Sequence, residues 1–159
     1  AAQIGDTKLL RKLLSGGANI ETQGGWPVPS TPLQIAAQHQ NTDVLDILLS
    51  CGANTEAVDD TGRTILQVVS FEGRIRTVRR LLQCRASVSA KARDGKTALH
   101  FAVERGRMHV IDELIAFGAD VSATDDHGWT PLHYAAEHRT PDVVYQLLRY
   151  NAAMCKNNN

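Results

Sequence analysis

Four segments of the chain begin with threonine at a constant spacing of 33: TPLQIAA at 31–37, TILQVVS at 64–70, TALHFAV at 97–103 and TPLHYAA at 130–136. A second series keeps the same register, with VLDILLSCGAN at 44–54, TVRRLLQCRAS at 77–87, VIDELIAFGAD at 110–120 and VVYQLLRYNAA at 143–153. LLRKLLSGGAN at 9–19 is a fifth copy, set 35 residues before the first of that series. A period of this length means that the chain is assembled from small units that cannot bury an apolar face alone and must stack. The 159 residues, 43% of them hydrophobic, suffice for one packed domain of such units. No run approaches the roughly 18 apolar residues a membrane span needs, so membrane insertion is not expected.

Each copy reads as helix, turn, helix, loop. Threonine at the copy start is an N-cap residue, and Pro32 and Pro131 occupy the first helical position, where a missing N–H is harmless. The first helix sets Leu33, Ala36 and Ala37 on one face, with equivalents at Leu132, Ala135 and Ala136. Gly73 and Gly106 end it, and a second apolar run follows, as at Val110, Ile111, Leu114 and Ile115. Gly17, Gly52 and Gly118 fall just past that second helix, where a left-handed residue commonly stops the chain. The next stretches, 55–62 and 122–128, carry the Asp, Thr and Gly of a hairpin turn.

This pattern resembles the ankyrin repeat, whose signature is Thr-Pro-Leu-His-x-Ala at a period of 33; TPLHYAA at 130–136 and the LLxxGAx endings carry the resemblance. It implies an all-α ankyrin-repeat solenoid of stacked helix-turn-helix units, L-shaped in section, with hairpins projecting from one edge and a groove along the first helices. A single domain is expected over 1–159, with a partial repeat at 1–22 and repeats at about 23–57, 58–90, 91–123 and 124–156. The second complete copy departs most, carrying Ile65 for proline, Val69 and Ser70 for small residues, and Arg85 for the terminating glycine. A non-glycine residue held left-handed costs on the order of 1 kcal/mol, so this copy is expected to be the weakest. Asn151 fills the same place in the last copy at lower cost. Two extra residues precede Thr31, and Trp26-Pro27-Val28-Pro29 predicts an enlarged, stiffened finger. Ala1-Ala2 aligns with Ala36-Ala37, and the last copy has no polar capping face, so the sequence reads as a segment of a longer array.

Chemistry-bearing motifs are few. No nucleophile elbow, phosphate-cradling glycine loop or HExxH is present, and an enzyme is not expected. His39, His109, His127 and His138 are scattered with no zinc spacing, and neither metal nor cofactor is expected. His100 and His133 stand at the signature histidine, which by resemblance ties adjacent turns together. Asp59-Asp60 and Asp125-Asp126 sit in equivalent hairpins and read as turn formers. Cys51, Cys84 and Cys155 form no CxxC pair, and Cys51 and Cys84, 33 apart, lie on neighbouring units too distant for a disulfide. Free thiols suit an intracellular protein, cytoplasmic or nuclear. The asparagine that the family can hydroxylate is replaced by Glu21, Glu56, Ser89, Ser122 and Cys155.

Net charge is zero, but residues 61–96 carry nine basic and two acidic side chains between acidic ends. Arg76, Arg79, Arg80 and Gln83 share one face of a second helix and are expected to be solvated there. The resemblance implies a non-catalytic protein-interaction module, used in scaffolding or signalling, that binds a partner through hairpin tips and groove. Positions just before each threonine (Ser30, Arg63, Lys96, Trp129) and near the first-helix ends (Gln38, Phe71, Glu104, Glu137) would face outwards. Trp26, Phe71 and Trp129 are therefore expected to anchor a protein segment, and Arg63, Lys91, Arg93 and Lys96 to select an acidic or phosphorylated one. The alternatives are a nucleic-acid-binding surface centred on 63–96, which lacks interleaved aromatics, and an architectural spacer. Oligomeric state is not legible.

Overall fold

The computed structural model describes residues 1–24 and 30–157, with side chains to Asn151. Helices dominate the described residues, accompanied by two isolated antiparallel bridges at Gly24–Ser30 and Val58–Thr64. The first helices of the repeats are α2 (Pro32–Gln38), α4 (Ile65–Glu72), α6 (Ala98–Glu104) and α8 (Pro131–Glu137). The second helices are α1 (Thr7–Ser15), α3 (Thr42–Ser50), α5 (Ile75–Gln83), α7 (Met108–Ala116) and α9 (Pro141–Asn157). The helices of α2–α3, α4–α5, α6–α7 and α8–α9 pack as pairs, the first helices pack on one another from α2 to α8, and the second helices do so from α1 to α7, giving two layers.

Local chemistry explains the first layer. The threonines at 31, 64, 97 and 130 are N-caps, and the main-chain N–H of each donates to the side chain three residues on: Gln34, Gln67, His100 and His133. Small or branched residues at Ala36, Val69, Ala102 and Ala135 are fully buried, which brings neighbouring first helices close. Leu33, Leu66 and Leu99 fill the space between layers. Ser70 is buried beside Val69, and its hydroxyl has no hydrogen-bond partner among the described residues.

Left-handed residues recur in rows. After the first helices they are Gln40, Gly73, Gly106 and Arg139, and after the second helices Gly17, Gly52, Arg85 and Gly118. Arg85 has φ 64° as its alignment with glycine demands; Gln40 (58°) and Arg139 (53°) are further non-glycine members the sequence did not flag. Asn151 breaks the expected row. α9 does not stop there but runs on to Asn157, because Ala152 and Ala153 favour helix and no glycine interrupts it.

Several sets of polar contacts stitch repeats together. Side chains in the third helical position reach the next hairpin: Gln34 Nε2 donates to Ala57 O (3.3 Å), Gln67 Nε2 to Ala90 O (2.8 Å), and His100 Nε2 to Trp129 O (3.1 Å). The residues capping α3, α5 and α7 reach back to the preceding repeat. Asn41 donates to Ala2 O and Gln3 O in the opening turn, while Arg74 donates to Ala37 O and Gln38 O and Arg107 to Phe71 O, satisfying carbonyls at the ends of α2 and α4. On the second-helix face Asp46 pairs with Arg80, Arg79 with Glu113, and Asp112 accepts from Gln146 and Tyr150. Arg79 and Arg80 are thus not the purely solvated face the spacing suggested, since carboxylates on the adjacent second helices lie within reach.

Candidate functional site

Hairpin geometry sets the positions of the candidate residues. In turns 59–63, 92–96 and 125–129 the first N–H donates to the last carbonyl, at 2.9, 2.9 and 3.0 Å. Asp59 Oδ1 accepts from the N–H groups of Thr61 and Arg63, and Asp125 Oδ1 from those of His127 and Trp129. These are turn-forming carboxylates. Both are held below the ordinary carboxylate range. Burial pushes each upward, but the Thr61 and Arg63 bonds at Asp59, and the Tyr134, Trp129 and His127 bonds at Asp125, outweigh it.

Hairpin ends and first-helix ends converge into a row of rings and cations. Phe71 meets Phe101 edge-to-face at 6.4 Å, and the Arg105 guanidinium lies 4.2 Å from the Phe71 centroid. Lys96 Nζ sits 5.7 Å from the Phe101 centroid and 4.6 Å from that of Tyr134. Tyr134 in turn meets Trp129 at 5.3 Å, and Trp129 meets His133 at 6.0 Å. The Tyr134 hydroxyl donates to Asp125 Oδ2 at 2.6 Å; burial and this bond raise its pKa. Lys96 also donates to Glu104 Oε2 at 3.1 Å; burial, the largest influence, lowers the ammonium pKa, but this bond, the Glu104 charge and Tyr134 together raise it. Cation–π contacts of this kind contribute about 0.5–2 kcal/mol each as desolvation increases.

The seven expected partner-binding residues separate into groups. Phe71, Lys96 and Trp129 join this row, all three half-buried. Arg63 folds back on Asp59, with Nη2 3.0 Å from Oδ2. Lys91 is exposed and donates to Thr124 O at 2.9 Å on the next hairpin. Arg93 is exposed, its aliphatic chain crossing the backbone of Gly62. Trp26 lies outside the described residues. Phe101, Tyr134, Glu104 as the partner of Lys96, and Arg105 over Phe71 were missed. Phe101 and Tyr134 occupy the variable fifth place of the signature, in a row with Ile35 and Val68, so the same row reading carried one column further would have found them.

Among the described residues no group of three or more His, Cys, Asp or Glu is arranged to hold a metal ion. Nor is any described helix long and apolar enough to cross a membrane. Cys51 and Cys84 are free thiols.

The sequence matches the family model described as ankyrin repeats (3 copies) over residues 1–92 and 69–158. It is 34% identical over 79 residues to the human (Homo sapiens) 2-5A-dependent ribonuclease, covering 48% of this chain and 10% of that protein. It is 33% identical over 75 residues to the ankyrin repeat, SAM and basic leucine zipper domain-containing protein 1 of Colobus guereza, covering 46% of this chain and 15% of that protein. The matches therefore span a small part of either relative.

Proposed function

Because the chain belongs to the ankyrin repeat family, whose members are generally non-catalytic protein-interaction modules, we propose that it binds a partner protein segment along the hairpin and first-helix side of residues 58–137. The observation that carries this reading is the row from Phe71 through Phe101, Lys96 and Tyr134 to Trp129. Aromatic rings held by their neighbours bury large area at small entropic cost, which is the usual make-up of a binding hot spot. Phe71 and Trp129 anchor apolar side chains of the segment. Lys91 and Arg93 select its acidic or phosphorylated residues, while Arg63 and Lys96 exchange Asp59 and Glu104 for the partner's acids. Trp26 is a further anchor in this reading. The free thiols at Cys51 and Cys84 support an intracellular setting, cytoplasmic or nuclear.

Ion pairing weighs against the nucleic-acid reading of 63–96. Five of its nine basic residues, Arg63, Arg74, Arg79, Arg80 and Lys96, are paired with carboxylates of this chain, which lowers the net positive charge the band presents to a phosphate backbone. The ribonuclease activity named for one relative is not carried over, since the match spans a tenth of that protein.

Selection of peptides from a displayed random library tests the reading. The chain should enrich peptides combining apolar and acidic residues. Phe71→Ala and Trp129→Ala should each weaken the selected peptides at least about 30-fold, matching a hot spot of about 2 kcal/mol, with little change in urea midpoint. Destabilised variants with unchanged affinity would make these rings packing residues and favour the spacer role.

A further inference from the structure

The opposite, second-helix face carries a ladder whose last rung is chemically incomplete. Each junction pairs one residue with another 34 positions on: Asp46 with Arg80, Arg79 with Glu113, and Asp112 with Gln146. The first two rungs are guanidinium–carboxylate pairs; at the second, Arg79 Nε and Nη2 lie 2.9 and 2.7 Å from the two Glu113 oxygens. In the third rung the carboxylate is retained, but a neutral amide stands where the first rung has arginine. A groove of about 570 Å³ opens beside it, lined by Met108 and Asp112 of α7 and by Asp142, Tyr145 and Gln146 of α9, with Tyr150 and Arg149 completing the wall. Two further features mark the spot. Gln146 Oε1 is shielded from solvent and has no hydrogen-bond partner among the described residues, and the Tyr145 ring is 70% exposed.

We propose that this groove is a binding site for an arginine side chain of a partner protein, whose guanidinium takes at Asp112 the place that Arg80 takes at Asp46. The chemistry of the wall fits that group better than an ammonium. A guanidinium presents its N–H donors in a planar fork that matches a carboxylate edge, and its flat face stacks on an exposed tyrosine. Asp142 adds a second negative charge, while Arg149, the one cation of the wall among the described residues, opposes the ligand. Asp112 already accepts from Tyr150 at 2.6 Å, which fixes its orientation and raises the tyrosine pKa. The site lies on the face away from the ring-and-cation row and stands independently of that function.

The junction itself supplies the test. Two short acetylated peptide amides, identical except for arginine or citrulline at the centre, are titrated into the 15N-labelled chain and followed at the Gln146 side-chain amide and the backbone of α7 and α9. Citrulline keeps the shape and loses the charge. The arginine peptide should shift these resonances and bind at least tenfold tighter than the citrulline peptide. Asp112→Asn should remove that difference. Gln146→Arg should complete the third rung from within, raising the unfolding midpoint while abolishing arginine-peptide binding. Equal binding of the two peptides, or arginine-peptide binding that survives in Gln146→Arg, overturns the proposal. Should Asp112→Asn unfold, the Gln146→Arg result alone decides.

Discussion

His100 shows how one side chain can serve two repeats and fix a pH response. Its Nδ1 accepts from the Thr97 N–H at 3.1 Å, so the proton sits on Nε2, which donates to Trp129 O. A second proton would have to enter at Nδ1, against an N–H already pointing there. Burial, the largest influence, together with nearby Lys96, holds the imidazole pKa below its ordinary value despite the favourable pull of Trp129 O and Asp125. The unfolded chain therefore takes up this proton at a higher pH than the folded one. Stability from this group is complete above about pH 6.5 and is lost as pH falls towards the depressed folded value, with a slope of at most about 1.4 kcal/mol per pH unit. Gln67 makes equivalent bonds one repeat earlier, so His100→Gln should fold and flatten this part of a urea-midpoint series against pH; an unchanged slope would assign the response elsewhere. Ser70 has the opposite character, a buried hydroxyl without a partner where the equivalents are Ala37, Val103 and Ala136. Ser70→Ala should stabilise by about 1 kcal/mol in chemical denaturation. Arg85→Gly should add roughly 0.5–1 kcal/mol by relieving the left-handed strain.

Hairpins are the elements whose glycines have unequal duties. Gly95 and Gly128 share a left-handed conformation, at φ 78° and 77°. A Cβ on Gly95 would lie 2.3 Å from Asp126 Oδ1 and 2.6 Å from Asp126 N, where the next hairpin donates to Asp94 O; one on Gly128 would meet nothing within 4 Å. Gly128→Ala should cost about 1 kcal/mol from backbone strain alone, and Gly95→Ala at least about 2 kcal/mol because the hairpins must also separate. Thermal unfolding of the two variants side by side checks the ordering. The helices themselves were legible in the sequence because Thr, Pro and Gly punctuate every copy at fixed offsets. The end of α9 was not, since Asn151 permits either a left-handed stop or another helical turn, and the alanines beyond it decide. Half of the candidate site was legible for a similar reason. Trp129 and Phe71 stand out in their rows, whereas Lys96 is a free cation in sequence and a neighbour of Glu104, Phe101 and Tyr134 only once α6 and α8 are packed.

Across the whole molecule, the strain at Arg85 and the unpaired Ser70 hydroxyl fall in the same repeat, 58–90. Amide hydrogen exchange should show α4 and α5 opening at lower free energy than α6 and α7, and Ser70→Ala with Arg85→Gly should close that gap. Uniform protection along the stack would mean that the neighbours' ion pairs with Arg79 and Arg80 offset both defects. The stitching between repeats has a further consequence, for the path to the folded state. Among the described residues, the side-chain hydrogen bonds that join repeats connect positions 23 to 39 apart, from Gln34–Ala57 to Asn41–Ala2. The search for native partners is thus confined to one repeat length and does not lengthen with the stack. Loop closure costs the same at every junction, so assembly can start at any well-formed pair of repeats and zip outward, at a rate set by that pair and not by the length of the chain.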